Sequence, residues 1–228
     1  MKRATVIYGL GQFAHIIGDA ILSNPGFAPV AYTADAQFCK VDTFRGLAVV
    51  PFEDLPRSFP PETTTILIAL GFARMRTRKE VFERVVARGY RLEQHLDHQA
   101  VVGAGVTVGR NSIIDASTYI GPGAVIGDHV HVRPQTYIGH DCRIGDHCYI
   151  APGVKLGGGC VVGSASFVGI GTTVVDSVVL GDETFVGAGS LVLRDTEPSA
   201  SYFGNPARLA SRHPDTGVLV RPAERRNG

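Results

Sequence analysis

Aliphatic side chains recur at every sixth position through the second half of the chain. Stepping by six from Val102 meets sixteen consecutive Val, Ile or Leu residues and ends at Val192. The residue two before each of them is compact, as at Ala100, and the residue after is usually glycine, as at Gly139 and Gly145. A period of six over this length is typical of a solenoid in which each hexad forms one flat side of a triangular prism.

Three such hexads make one coil, so residues 18 apart are expected to stack. The aliphatic residue then fills the axis, and the coils lie roughly 4.8 Å apart with their backbone groups paired. The glycine after it is expected to supply corner dihedrals that a β-carbon would strain. The run from 100 to 193 predicts about five coils. Cys142 and Cys160 are 18 apart and are expected to stack inside as small, reduced core residues.

The first 97 residues follow a different pattern, in which short β-branched runs alternate with helical periods. This alternation predicts an α/β domain with a parallel sheet. The predicted strands cover residues 4–8, 29–32, 47–49, 64–70 and 90–93, and the predicted helices cover 13–22 and 76–87.

Two glycines separate the first predicted strand from the first predicted helix. Gly9 and Gly11 are followed by Ala14 at the position of the third glycine of a nucleotide-binding loop, where amides at a helix start receive phosphate. Asp35 follows the second strand, where a ribose-binding carboxylate is expected. The alternative is that the glycines only close a tight turn. A complete dinucleotide site is not expected, because 97 residues supply little more than one mononucleotide-binding half.

Composition removes several classes of protein. The chain has 228 residues, a net charge of +1 and 19% charged residues, which argues against nucleic-acid binding, anionic membrane surfaces and disorder. No apolar run approaches the ~20 residues of a membrane span, and no signal peptide is recognised, so a cytoplasmic protein is expected. The 28 glycines make up about 12% of the chain, against roughly 7% on average.

One histidine stands out as a candidate base. His140 precedes Asp141, and an imidazole beside a carboxylate can accept a proton near neutral pH. Side chains of adjacent strand residues point to opposite faces, so their pairing requires a corner. One coil later the stacking position is Gly158, in a run of three glycines whose amides are expected to be exposed as an oxyanion site for a thioester. The alternatives are a solvated histidine and a loose turn.

The same region also raises the question of a metal site. His129, His131, His140 and His147 are close in sequence, but no pair has the H-x4-H separation of the gamma-class carbonic anhydrases, which share the hexapeptide repeat. No metal is therefore expected, and a zinc-dependent hydratase is kept as an alternative.

The glycine loop, the hexads and the closing segment 202–208, YFGNPAR, resemble the two-domain hexapeptide-repeat sugar acyltransferases of the NeuD/PglD type. The resemblance implies a Rossmann-like nucleotide-sugar-binding domain (1–97), a left-handed parallel β-helix (98–197) and a closing segment with a tail (198–228). The left hand comes from the resemblance, because the general crossover rule favours right-handed connections. It also implies a homotrimer with active sites between subunits. Residues 211–228 lack a period and predict a trailing arm, disordered or packed on a neighbouring subunit.

The resemblance further implies an activity: transfer of an acetyl group from acetyl-CoA to an amino or hydroxyl group of a nucleotide-linked sugar, in bacterial surface-glycan (lipopolysaccharide) biosynthesis. His140 is then the general base, Asp141 its acidic partner, and Gly158 the amide that contacts the thioester carbonyl. A non-catalytic solenoid that senses a nucleotide sugar is the other alternative. The residues implied for acetyl-CoA are Gly157, Gly158, Gly204, Asn205, Pro206 and Arg208. Those implied for the nucleotide sugar are Gly9, Gly11, Gln12, Phe13 and Asp35, although Gln12-Phe13-Ala14 replaces the histidine-containing glycine loop frequent in relatives.

Overall fold

The computed structural model describes residues 4–22 and 26–220, which form an α/β domain followed by a solenoid. The strands of the α/β domain are β1 (Ala4–Tyr8), β2 (Pro29–Ala34), β3 (Thr43–Phe44), β4 (Leu47–Pro51), β5 (Thr64–Ile68) and β6 (Arg91–Leu92). Its helices are α1 (Gln12–Leu22), α2 (Leu55–Ser58) and α3 (Met75–Ala87), with a 3-10 turn at Ala36–Phe38.

The α/β domain is a six-stranded sheet in the order β3-β4-β2-β1-β5-β6. All neighbours pair in parallel except β3, which forms an antiparallel hairpin with β4. The apolar strands β1 and β5 lie side by side at its centre, where Ile7 and Leu67 are fully buried. Their carboxyl ends therefore open next to each other, close to the starts of α1 and α3. The predicted Rossmann-like class is confirmed.

The solenoid is built from two-residue strands at intervals of six residues. They are β7 (His95–Leu96), β8 (Val101–Val102), β9 (Thr107–Val108), β10 (Ile113–Ile114), β11 (Tyr119–Ile120), β12 (Val125–Ile126), β13 (His131–Val132), β14 (Tyr137–Ile138), β15 (Arg143–Ile144), β16 (Tyr149–Ile150), β17 (Lys155–Leu156), β18 (Val161–Val162), β19 (Phe167–Val168), β20 (Thr173–Val174), β21 (Val179–Leu180), β22 (Phe185–Val186) and β23 (Leu191–Val192). Two longer strands, β24 (Ala200–Phe203) and β25 (Arg208–Arg212), close it.

These strands form three faces, each a stack of parallel strands. The first face contains β7, β10, β13, β16, β19 and β22; we call it the covered face, because the α/β domain packs against it. The second face contains β8, β11, β14, β17, β20 and β23, and the third contains β9, β12, β15, β18 and β21. Partners across each stack are 18 residues apart, as in the pair Ile120 and Ile138. The structure therefore confirms the left-handed parallel β-helix of hexapeptide repeats.

The predicted aliphatic column is the core of the β-helix. From Ile114 to Val192 its members are at most 2% exposed, whereas Val102 in the first coil is 37% exposed because no complete coil lies beneath it. Cys142 and Cys160 are fully buried in the same interior, as expected, and each thiol donates to a backbone carbonyl.

The role predicted for the glycine after each aliphatic residue is wrong. Gly139 has no positive φ; instead, a β-carbon on it would lie 2.6 Å from the Gly158 nitrogen of the next coil. Close approach of the coils therefore excludes a side chain there. The left-handed corner comes two residues later, and non-glycine residues such as Asp141 (φ 56°) and His147 (φ 63°) also adopt it.

The C-terminal segment packs on its own chain. Strand β24 extends the covered face beside β22 and pairs antiparallel with β25, and Val218 O accepts the Met75 amide at the start of α3. The expectation of a trailing arm from residue 211 is therefore wrong as far as residue 220, and residues 221–228 lie outside the described part.

The α/β domain sits on the covered face. Phe13 stacks on His131 with ring centroids 4.7 Å apart, and the ring centroids of Phe72 and Tyr149 are 4.6 Å apart. The Asn111 side chain accepts a hydrogen bond from the Ile68 amide and donates one to the Ile68 carbonyl. In a triangular prism, the edge between the second and third faces is then the one opposite this domain. We call it the distal edge; it comprises the corners 103–106, 121–124, 139–142, 157–160, 175–178 and 193–196.

Candidate active site

His140 and Asp141 meet on the distal edge. His140 Nδ1 lies 2.9 Å from Asp141 Oδ2, and the two side chains are 68% and 72% exposed. Neighbouring residues can pair here because Asp141 takes the left-handed corner conformation, which turns its side chain out of strand alternation. An ionised Asp141 accepts a hydrogen bond from Nδ1–H. That tautomer leaves the lone pair of the imidazole on Nε2.

Glycines in the adjacent coils make room for both side chains. A β-carbon on Gly158 would lie 2.4 Å from His140 Nε2, and one on Gly123 would lie 2.5 Å from Asp141 Oδ1. Each contact is far below van der Waals distance, so any larger residue at either position requires the side chain to move. The 18-residue register therefore places Gly158 against His140 Nε2, as the sequence predicts.

The amides of the glycine run are not free. Gly157 N–H donates to Val174 O at 2.9 Å, Gly158 N–H to Asp176 Oδ1 at 2.6 Å, and Gly159 N–H to His140 O at 2.8 Å. The expectation of exposed donors beside the imidazole is therefore wrong for this structure. The physical reason is that the coils of a parallel β-helix pair their backbones continuously, and a carboxylate of the next coil takes the one remaining amide.

The distal edge continues toward the closing segment. Asp176 and Arg194 follow Gly158 at successive 18-residue steps, and Arg194 and Arg208 line a cavity of about 430 Å³ at the end of the β-helix. The turn 204–207 is tied to the last coil, because the Gly204 amide donates to Ser190 Oγ and the Ala207 amide to Leu191 O. Of the four closing residues implied for acetyl-CoA, Arg208 lines this cavity.

The residues predicted for the nucleotide sugar line two adjoining cavities of the α/β domain. Gly11, Gln12 and Phe13 line one of about 610 Å³, the Phe13 cavity, which also includes Arg133 and Tyr149. Gly9, Gly11 and Asp35 line one of about 440 Å³, the Asp35 cavity.

Gly9 has a second, structural reason to be glycine. Its φ is 136°, and a β-carbon would lie 2.7 Å from Ala69 O at the end of β5. The simpler alternative, a glycine that closes a tight turn, is therefore also satisfied at this position.

Asp35 is held from two sides. Tyr8 donates to Oδ1 at 2.5 Å, and Arg84 donates to Oδ1 and Oδ2 at 2.5 and 3.0 Å. The Arg84 hydrogen bonds lower the pKa of Asp35, so the carboxylate stays ionised at neutral pH. It faces the cavity as a fixed hydrogen-bond acceptor.

One chain does not bring its two predicted half-sites together. The Phe13 cavity opens against the covered face, whereas His140 lies on the opposite edge. Nor do the four histidines of the β-helix converge: His129, His131 and His147 pack together beneath α3, away from His140. Across residues 4–22 and 26–220 there is no group of three metal-ligating side chains placed to hold an ion. None of the helices there has the length and apolar character of a membrane span.

Comparisons with known proteins give the same architecture. The family model "Bacterial transferase hexapeptide (six repeats)" matches residues 123–158, and "Hexapeptide repeat of succinyl-transferase" matches residues 99–122. A comparison with curated proteins gives no match. Among solved structures, PerB from Caulobacter crescentus, in complex with CoA and GDP-perosamine, is 27% identical with a TM-score of 0.82, covering 91% of this chain and 97% of that one.

A histidine-to-alanine mutant of the same Caulobacter enzyme, described as GDP-perosamine N-acetyltransferase, is 28% identical with a TM-score of 0.84 over 91% and 97% of the two chains. The resemblance to the NeuD/PglD-type sugar acyltransferases is confirmed. The acetyltransferase domain of PglB from Neisseria gonorrhoeae, at 24% identity, shares the fold with a TM-score of 0.81, over 91% of this chain and all of that one.

Within this architecture, Asp176 and Arg194 are residues of the distal edge that the sequence analysis did not identify. The signal was present, because extending the 18-residue step from Gly158 reaches both. Arg84 and Tyr8 were also missed. They come from separate elements and no spacing in the sequence links them to Asp35.

Proposed function

We propose that this protein is an acetyl-CoA-dependent acetyltransferase that acts on an amino or hydroxyl group of a nucleotide-linked sugar, in the cytoplasmic stages of bacterial surface-glycan synthesis. The observation that carries the proposal is the His140–Asp141 pair, with Nε2 open beside Gly158, in a fold shared with a CoA- and GDP-perosamine-bound N-acetyltransferase. That neighbour favours the amino group as acceptor.

His140 acts as the general base. As the sugar amine attacks the thioester carbonyl, Nε2 takes the proton from the attacking nitrogen, and Asp141 holds the ring and stabilises the imidazolium. The C–N bond forms, the C–S bond breaks, and the proton passes from Nε2 to the departing thiolate of CoA. The transfer is direct, and no acyl group is attached to the protein.

Gly158 is assigned as the donor to the tetrahedral oxyanion. Its amide lies on the distal edge but donates to Asp176 Oδ1 in the free protein. The thioester oxygen must therefore share this N–H with the carboxylate or displace it. One such donor is typically worth ~10²–10³ in rate, so displacement is a substantial element of the mechanism.

Acetyl-CoA is placed along the distal edge. Three coil spacings separate His140 from the level of Arg194, roughly 14 Å at one strand spacing per coil. The pantetheine arm then passes Gly157 and Gly158, and the phosphates reach Arg194 and Arg208 at the cavity near Gly204–Arg208. Guanidinium groups bind phosphate strongly through charge-assisted hydrogen bonds.

A homotrimer completes the site. Because the sugar cavities and His140 lie on opposite sides of one prism, the acceptor held by one subunit must meet His140 of another. The second face offers apolar surface for such contact: Val101 is 59% exposed, and Tyr119 and Tyr137 stack with ring centroids 5.1 Å apart while 38% and 46% exposed.

The test is product formation from defined mixtures. The protein is incubated with acetyl-CoA and a panel of UDP-, GDP- and dTDP-linked aminodeoxy and deoxy sugars, and products are analysed by mass spectrometry. We expect one acetyl group on one nucleotide class, with release of CoA thiol, and hydroxylamine treatment then distinguishes an ester from an amide. Hydrolysis of acetyl-CoA without transfer to any sugar contradicts the proposal.

A further inference from the structure

A third cavity adjoins both cavities of the predicted nucleotide-sugar site. Leu70, Gly71, Arg74, Thr77 and Arg78 line a space of about 270 Å³ at the start of α3, here called the α3 cavity. Leu70 also lines both larger cavities, Thr77 is shared with the Asp35 cavity, and Gly71 is shared with the Phe13 cavity. The three spaces therefore form one groove across the carboxyl ends of β1 and β5, and the α3 cavity borders both of the others.

The first-turn amides of α3 have no carboxylate partner among the described residues, because the Glu183 carboxylate pairs with the Arg76 side chain instead. This 13-residue helix has no acidic residue in its first turn, and its N-cap residue, Arg74, makes no side-chain capping bond. Met75 donates its amide to Val218 O, but the next two amides have no intrahelical acceptor. Such a terminus favours an anion.

Arg78 supplies an independent sign that a ligand is missing. It is 1% exposed, and its Nε is buried without a hydrogen-bond partner. Its Nη atoms reach only neutral groups, Leu70 O, His129 O and His131 Nδ1, and no carboxylate of the described residues pairs with it. A buried guanidinium with no counter-ion is costly, and an anion in the cavity it lines would offset that cost.

The glycine loop at α1 is less suited to the same task. Arg133, which lies over the Phe13 ring, is ion-paired with Asp115. Arg74, by contrast, has no ion pair or side-chain hydrogen bond in the described structure.

We propose that the α3 cavity binds the diphosphate of the nucleotide-linked substrate, with Arg74, Thr77 and Arg78 as its ligands. This inference rests on the proposed function, because the ligand is that acceptor. The nucleoside then lies in the Asp35 cavity, and the sugar lies in the Phe13 cavity beside Gln12. The hydroxyl of Thr77 and the first-turn amides donate to phosphate oxygens that Arg74 and Arg78 neutralise.

The experiment is calorimetry on the full chain with UDP, GDP and dTDP, their parent nucleosides, and inorganic pyrophosphate. Arg74→Gln and Thr77→Val are compared with Lys79→Gln, a charge-matched control on the same helix whose ammonium faces Glu83 in solvent. We expect Arg74→Gln to weaken binding of the preferred nucleoside diphosphate by about 10- to 100-fold, with a smaller loss for Thr77→Val. Nucleoside binding should not change, and Lys79→Gln should match the wild type.

The outcomes separate this inference from the proposed function. If the wild type binds the diphosphate and transfers acetyl groups, but Arg74→Gln and Thr77→Val bind as tightly as the wild type, the phosphate site is wrong and the function stands. If pyrophosphate binds in an Arg74-dependent way but no nucleotide sugar is acetylated, the site stands and the function fails. Absence of all binding overturns both. In turnover assays, the Arg74 effect should fall on the acceptor KM and leave the KM for acetyl-CoA unchanged.

Discussion

The β-helix places four histidines in two contrasting environments. His129 and His131 are fully buried and His147 is 7% exposed, all beneath α3, whereas the side chain of His140 is 68% exposed on the distal edge beside Asp141. The same hexapeptide backbone carries all four. What differs is the layer outside the coil: the buried face of α3, with Phe82 and the buried Arg78, in one place, and solvent and a carboxylate in the other. The comparison teaches that the repeat sets position, while the neighbours set chemistry.

The largest expected effect tests the exposed member of this comparison. His140→Asn should lower kcat for acetyl transfer by about 10²–10⁴, because general-base catalysis is lost while the ring's place in the coil is kept by a smaller polar group. Steady-state kinetics with the sugar identified by the product assay measures it. His147→Asn is the matched control, since His147 packs against Phe82 and His129 beneath α3, away from the distal edge and from the sugar cavities. It should lower stability and leave kcat within a few-fold of the wild type; a reversed order of the two kcat values contradicts the assignment.

A slightly smaller loss is expected from crowding His140 without replacing it. In Gly158→Ala the new methyl group would lie 2.4 Å from Nε2 and must push the imidazole away. We expect kcat to fall by about 10²-fold, in line with the cost of displacing a positioned catalytic group. Gly171→Ala is the control, because a β-carbon there meets nothing within 4 Å, although its φ of +66° adds backbone strain. If Gly171→Ala loses activity and Gly158→Ala does not, then kcat depends on backbone strain in the β-helix and not on the contact between residue 158 and His140.

The 18-residue period of the sequence predicts which residues of this site stack, but it does not predict which of their atoms pair. The 18-residue step places Gly158 against His140 and, extended, finds Asp176 and Arg194. It does not say that Asp141 can reach His140, because that depends on a left-handed conformation at a residue other than glycine. Nor does it say that Asp176 takes the Gly158 amide, since a periodic pattern places residues but does not pair their atoms.

The docking of the two domains is the larger gap. Phe13, Arg78 and Asn111 each contact the other domain through partners far away in sequence, and no period links the α/β half to the β-helix. The sequence therefore predicts both units, but not which face is covered or which edge stays open. That choice separates the buried histidines from the exposed one.

The buried histidines should make the protein sensitive to acid. Burial lowers the pKa of His129, His131 and His147, and the nearby Arg78 guanidinium lowers them further. The unfolded chain then binds more protons than the native one below about pH 6.5, so the free energy of unfolding falls as pH drops through that value. Each such histidine contributes a slope of up to ~1.4 kcal/mol per pH unit.

Urea unfolding between pH 7.5 and 5 measures this dependence. Asp115 acts in the opposite direction: burial raises its pKa to about 6, so its protonation favours the native state below that value and offsets part of the slope. His131→Gln should reduce the slope between pH 6.5 and 6, whereas His140→Asn should leave it unchanged. An equal change in both variants would remove the distinction between the two environments.

The smallest expected effect tests whether the Gly158 amide on the distal edge stabilises the oxyanion. The Asp176 carboxylate occupies the Gly158 amide in the free protein, so the thioester oxygen competes with it. Asp176→Asn keeps an oxygen acceptor at that amide, whereas Asp176→Ala removes it and frees the N–H. If Gly158 stabilises the oxyanion, kcat should be higher in Asp176→Ala than in Asp176→Asn, by a few-fold out of the ~10²–10³ that one donor is worth. Both variants lose the same charge, so the comparison isolates the hydrogen bond. A kcat for Asp176→Ala at or below that of Asp176→Asn would mean that the oxyanion finds its donor elsewhere, and that Gly158 serves only to leave space for the imidazole.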